Sequence, residues 1–411
     1  MKLKKHGDLL LIAAFAILVA FPVAINMAHH LGVSFPSFMG VGRATSSLEG
    51  RMLQEKPSFS VAAFSKGDYQ SQCDKFLSDS VPMRDQIVSS HARLQREIIT
   101  CSNALFGFDA IPTKFGSDYV VVPGHNAVLP NSVLPNEKNT LTANQLADIL
   151  REAAEAHPNT VFIYDILTDV YSSDVNPTHK YLSNSYNEDW LQDNIISRLG
   201  NNVRVMREGI ADEQELYTDW FLTEPHWRLN RILQSYSMLG SELGWKEVKY
   251  SEDFLAIDAW RGSSARGGLI MDYSDDLRDL PTDFSSLTCV VGGKKIDRGN
   301  RDKMMRGEKV ELDLLNGYHS YYGTNYPEIV YANPEDQSGK TCLIVQQSFG
   351  VPLEPYIASN YKITVCVAPL NVTVNKSLDQ LIEQYRPDDV VVLLGYTYLS
   401  LGKDRSPVFF P

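Results

Sequence analysis

Four continuous apolar runs set the terms for this chain: "TVFIYDIL" (160–167), "TCLIV" (341–345), "KITVCVA" (362–368) and "VVVLLGYTYL" (390–399). None alternates polar with apolar residues, so each reads as a strand buried on both faces of a sheet. Between and around them lie helical patterns, "TANQLADILREAAEAH", "NEDWLQDNIISRLG", "NRILQSYSMLGSELG" with a glycine stop, and "KSLDQLIEQYRPDD". A further strand is expected at "NVRVM", and a β-rich passage at "SDYVVVPGHNAVL". Strands alternating with helices imply an α/β fold, a mostly parallel sheet covered by helices.

The N-terminus adds a different constraint. Lys2, Lys4, Lys5 and His6 precede the apolar run Leu9–Ala28, and about 20 such residues cross a bilayer as a helix. The positive flank predicts a cytoplasmic N-terminus. "INMAHHLG" carries bulky residues where a signal peptidase needs small ones. The expectation is therefore a single-pass signal-anchor, with the rest of the chain extracytoplasmic at the cell membrane. Residues 1–32 form the cytoplasmic stub and transmembrane helix, 33–110 a linker and membrane-proximal helical region, and 111–411 the α/β domain. A helical pattern is expected over 69–100, with Ser80 capping a helix that has Pro82 in its first turn.

A net charge of −12 without a basic stripe excludes nucleic acid as a partner. The five cysteines show no zinc spacing. A disulfide such as Cys73–Cys101 stays open, while Cys342 and Cys366, inside apolar runs, read as core residues. No metal and no cofactor is indicated.

Two segments carry candidate chemistry. Ser348 follows the 341–345 run, at the end of a strand, where α/β sheets build their sites. In "LTEPHWRLN" (222–230), Glu224 and His226 stand at i and i+2, on one face of an extended segment. Pro225 favours that extended geometry at the residue before it. Glu224 would then orient His226 and leave the second ring nitrogen free as a base. A structured turn with a satisfied histidine is the other reading. His319 is a rival base.

The ordered set "LYTDWFLTEPHWRLN", "YYGTNYPEIVYAN", "TCLIVQQSFGVPLEPYIASNYKI" and "RPDDVVVLLGYTYL" resembles the DHHW family, relatives of the alginate O-acetyltransferase group with an SGNH-hydrolase-like domain. The likeness spans nearly all of the expected extracytoplasmic chain. In the first stretch Tyr217, Thr223, His226 and Trp227 match the family signature, with Glu224 at its acid position. The resemblance implies Ser348 as nucleophile, His226 as general base and Glu224 as its orienting acid. It implies an oxyanion site made by the Ser348 N–H with Gly323 or Asn325. "WRGSSARGG" (260–268) and Asp275-Asp276 resemble a family loop near the site, without an assigned role. Trp227, Trp260, Tyr321 and Tyr322 are candidates for stacking on sugar rings. Three positions differ from the family pattern: Glu224 stands for Asp, Pro225 for the first His, and Gln347 for the Asp before the serine.

The function implied is an extracytoplasmic O-acetyltransferase or acetyl-esterase acting on a cell-surface polysaccharide, supplied by a multipass membrane acyltransferase. The alternative is a catalytically inactive scaffold that binds glycan or a membrane partner in surface-polymer assembly. A small-molecule carboxylesterase is a third reading, at odds with the anchor.

Overall fold

The structure is a computed structural model. It describes residues 13, 16–17, 20–29, 31–107, 111–122, 124–132, 136–171, 173–181, 188–248, 251–371, 373–395, 398–399 and 408–409. An eight-stranded sheet organises the chain. Its strands, numbered in chain order, are β1 (Val161–Leu167), β2 (Val203–Glu208), β3 (Thr288–Val291), β4 (Lys294–Ile296), β5 (Glu328–Ala332), β6 (Thr341–Gln346), β7 (Ile363–Val367) and β8 (Asp389–Gly395). The spatial order is β4-β3-β5-β7-β6-β8-β1-β2. Every contact from β7 through β6, β8 and β1 to β2 is parallel. The β4-β3-β5 edge is antiparallel, as is its junction with β7. The sheet is thus mostly parallel and flanked by helices, the α/β class expected and consistent with an SGNH-like architecture.

Period-2 geometry sorts the side chains of the parallel strands onto two cores. Leu343, Val345, Val390 and Val392 pack with Leu146 and Leu150 of the helix Glu137–Ala156, and with Leu381 and Ile382 of the helix Leu378–Tyr385. Cys342, Ile344, Val391 and Leu393 face the other way, onto Ile232, Leu233 and Leu239 of the helix Leu229–Leu243. That helix closes at Gly244, φ 70°, the left-handed stop a glycine takes without strain. Cys342 and Cys366 lie in the core as expected, and all five cysteines are unpaired.

The N-terminal region departs from expectation: part of the expected linker pairs as a short hairpin, Thr45–Ser46 with Arg51–Met52. The helical stretch is two helices, Asp68–Asp79 and Arg84–Asn103. Ser80 closes the first instead of capping the second: its N–H and its Oγ both donate to the Phe76 carbonyl, at 2.9 and 2.7 Å. Met83, at φ 57°, then reverses the chain. Much of the expected anchor lies outside the described residues. Residues 20–29 are helical, and Asn26 Nδ2 donates to the Ser80 carbonyl at 2.8 Å. Among the described residues no helix is long and apolar enough to cross a membrane.

In mid-β1, fully buried Asp165 faces Glu208 of β2, with Arg231 and Ser235 of the Leu229–Leu243 helix against it. Arg231 forms an ion pair with Glu208 at 3.1 Å. Burial, reinforced by the charge of Glu208, pushes the Asp165 carboxyl well above its ordinary value. A carboxyl whose folded value is raised lends stability in acid and loses it as pH rises through that folded value. Asp165→Asn removes this titration. Its melting temperature should therefore fall less than that of the wild type between about pH 5 and about pH 9, as differential scanning fluorimetry would read. Parallel pH curves would refute the neutral carboxyl.

Candidate active site

Ser348 owes its place to β6. The strand ends at Gln346, Gln347 stays extended (φ −93°, ψ −179°), and Ser348–Gly350 turns as one 3-10 segment. The Gln347 N–H is tied to the Leu393 carbonyl of β8 at 3.2 Å. Gly350 is required here, because a Cβ would collide with the Gln346 side chain. As first residue of the turn, Ser348 has no acceptor for its N–H within the turn. Glu354, further along the same segment, takes hydrogen bonds from Arg298 Nε (2.5 Å), Tyr331 OH (2.7 Å) and the Gln346 amide. The Ser348 turn is thereby tied to the antiparallel edge.

The segment 222–226 is not extended, as the Pro225 argument expected, but bent. Trp220 and Trp227 pair in an isolated antiparallel bridge, and the Phe221 N–H donates to the His226 carbonyl at 3.1 Å. Asp275, only 3% exposed, holds the loop from one side. It accepts from Leu222 N (2.9 Å), Thr223 N (2.6 Å), Thr223 Oγ1 (2.5 Å) and Arg228 Nη2 (2.6 Å). Glu224 and His226 still meet across the bend.

Three side chains fall into line. Glu224 Oε1 lies 2.7 Å from His226 Nδ1, and His226 Nε2 lies 2.7 Å from Ser348 Oγ. Both distances are ordinary for strong hydrogen bonds. The other oxygen of Glu224 accepts the Ser263 N–H at 2.6 Å. Burial alone would raise the Glu224 carboxyl, but the His226 hydrogen bond and charge, with the Ser263 N–H, hold it below the ordinary glutamate value. The His226 ring is fixed by stacking on Tyr318 (centroids 4.1 Å, 15° between planes) and by Phe349 at 4.8 Å. Tyr318 OH donates in turn to the Ser348 carbonyl at 3.3 Å. A carboxylate that fixes one imidazole nitrogen while the other contacts a serine hydroxyl is the arrangement needed to move that hydroxyl's proton.

The remaining candidates fare differently. Gly323 donates its N–H to the His319 carbonyl at 2.9 Å, so that donor is already committed. Asn325 lies half-buried in the following loop. Trp227, Trp260, Tyr321 and Tyr322 are at most 5% exposed and belong to the main core. Rings without a free face offer no platform to a sugar, which corrects the stacking expectation. Tyr321 OH instead serves Asp279 at 3.0 Å. His319 sits edge-on to His226 (6.1 Å), with Nδ1 near the Gly323 carbonyl; burial and the neighbouring His226 lower its pKa. Among the described residues no three metal-ligating side chains converge. Sequence reasoning missed Ser263, Tyr318 and Phe349. Backbone donors and ring packing leave no mark in a motif, although the 260–268 stretch and Asp275 had been singled out without a role.

The chain matches no protein-family profile and no curated protein sequence. Solved structures do share its fold. Bacillus cereus PatB1, in a structure with a sulfonyl adduct, superposes with a TM-score of 0.53 at 17% identity, over 68% of this chain and 96% of that one. A DHHW family protein from Eubacterium siraeum gives 0.53 at 12% identity, over 72% and 93%. The O-acetyltransferase domain of Pseudomonas putida AlgJ reaches only 0.37 at 10% identity, over 68% and 91%, too little to support an argument. At these identities the likeness is one of architecture: this chain has the fold of PatB1 and of a DHHW family protein.

Proposed function

We propose that the protein is an extracytoplasmic, membrane-anchored O-acetyltransferase or acetyl-esterase with an SGNH-like domain, acting on a cell-surface polysaccharide. One observation carries the chemistry: the Glu224–His226–Ser348 line, closed by two 2.7 Å contacts. Ser348 Oγ attacks the acetyl carbonyl of the donor as its proton passes to His226 Nε2. The tetrahedral oxyanion is met by the Ser348 N–H, with Asn325 the remaining candidate for a second donor. Collapse expels the donor alcohol, which takes the proton from His226, and leaves acetyl-Ser348. A sugar hydroxyl, or water in the esterase case, then loses its proton to His226 and attacks the acetyl carbonyl. The acetyl group leaves on that oxygen, and the proton returns to Ser348. Glu224 stays ionised throughout and stabilises the imidazolium.

The anchor rests on the Leu9–Ala28 run and its basic flank. The polysaccharide acceptor and the multipass membrane acyltransferase that would supply acetyl groups rest on the sequence resemblance to the alginate O-acetyltransferase group. The geometry favours this reading over an inactive scaffold, which has no use for a serine hydroxyl set on an oriented imidazole.

Acetyl release from a chromogenic ester by the full chain in detergent tests the nucleophile. Ser348→Ala should lower kcat by at least about 10³-fold, and equal rates would remove Ser348 from the chemistry. Glu224→Gln keeps the shape but loses the charge that fixes the tautomer, and a loss on the order of 10⁴-fold is expected. Glu224→Asp restores the family residue yet withdraws the carboxylate from both His226 and Ser263. The cost should be roughly 10²-fold in kcat; an unchanged rate would show that the reach of Glu224 is immaterial.

A further inference from the structure

The 260–268 stretch stands between Glu224 and the N-terminal region. Toward the site it is built against the backbone of the 222–226 loop. Gly262 N donates to Thr223 Oγ1 at 3.0 Å, and Ser264 N and Ala265 N donate to the Thr223 carbonyl at 3.0 and 3.2 Å. Ser263 N reaches Glu224 itself. Only glycine fits at 262, where a Cβ would overlap the Thr223 carbonyl and lie 2.5 Å from the Glu224 Cβ.

The same stretch touches the hairpin of Thr45–Ser46 and Arg51–Met52 at Arg266 and at Leu269 just beyond it. Gly50, at the hairpin's end with φ 63°, lies flat on Arg266, and a Cβ there would come within 2.5 Å of Arg266 Nε. Leu48, 1% exposed, packs with Leu269 and with Ala92 of the Arg84–Asn103 helix. The hairpin is braced in turn. Asp85 accepts from Arg43 Nη1 and Nη2, each at 2.7 Å, and from Ser46 Oγ at 2.9 Å. Asp79 accepts from Arg51 at 2.7 and 2.9 Å. Contacts therefore run from the N-terminal helices through Leu48 to Leu269, whose N–H donates to the Arg266 carbonyl at 3.1 Å, and through Gly50 to Arg266, and so by the 262–268 turn to Glu224.

We propose that the Thr45–Met52 hairpin sets the Glu224 carboxylate through this turn, which makes Leu48 and Gly50 positioning residues for acyl transfer; the inference rests on the Ser348–His226–Glu224 reading. A seat of this kind couples the N-terminal region to the catalytic line, because a shift of the hairpin relaxes the turn that donates to Glu224.

The test compares wild type, Leu48→Ala and Leu48→Val as full chains in detergent. Each is also made in the Glu224→Gln background. Two quantities are read: the rate at which phenylmethanesulfonyl fluoride modifies Ser348, and amide hydrogen exchange over 262–268. Leu48→Ala should slow modification about tenfold and speed exchange over that segment, with Leu48→Val in between. On Glu224→Gln the same substitution should change the modification rate less than about twofold, because the carboxylate it positions is gone. Were Leu48→Ala to fold poorly, the Leu48→Val arm decides alone. Equal slowing in both backgrounds, or exchange unchanged over 262–268, would overturn the positioning role. A wild-type chain not modified at Ser348 would overturn the nucleophile reading, and this coupling with it.

Discussion

Glu224 is a carboxylate kept charged where water hardly reaches, and the architecture around it answers the cost of that burial. An isolated buried ion would shift its pKa and neutralise. Here one oxygen faces His226 and the other a backbone N–H, so both lone-pair sets are engaged. Asp275 performs a parallel service for the loop itself: burial raises its pKa, yet four donors converge on it. One carboxylate shapes the bend and the other uses it. Without the first, the second would face a different neighbour.

Similar pairs are buried beneath the site. Glu354 accepts from Arg298 and from the Tyr331 hydroxyl, and Asp279 accepts from Arg301 and from the Tyr321 hydroxyl. Buried ion pairs add little net stability against well-packed apolar residues, but removing one partner costs about 3–5 kcal/mol. Their arrangement therefore serves geometry more than stability. The group around Glu354, through Tyr331 of β5, joins the antiparallel edge of the sheet to the segment that follows Ser348.

The parallel half of the fold was open to reading because burial on both faces writes itself as unbroken runs, as at Leu343–Val345 and Val390–Leu394. The antiparallel edge was not, since "TCVVGGKKI" is short and mixed; its two strands pair with each other, and β3 alone pairs on with β5. The helix break at Ser80–Met83 escaped for a local reason: one serine serves equally as a cap or a stop, and only the Phe76 carbonyl decides. Glu224, His226 and Ser348 were nameable through the resemblance to the DHHW family, since local spacing alone left a structured turn with a satisfied histidine open. The committed N–H of Gly323 and the buried faces of Trp260 and Tyr322 were not, since a letter records a ring but not its exposure.

The tie between Glu354 and Arg298 has a mechanical meaning. It lies six positions beyond Ser348 on the same short stretch of chain, and Tyr331 and the Gln346 amide grip it as well. Compliance is thereby distributed unevenly. The alcohol rides on a stiff anvil, while the imidazole hangs from a bent loop whose supports lie outside the sheet. Any adjustment to a ligand at Ser348 must then come from the loop, and the anvil sets the frame in which that adjustment is made.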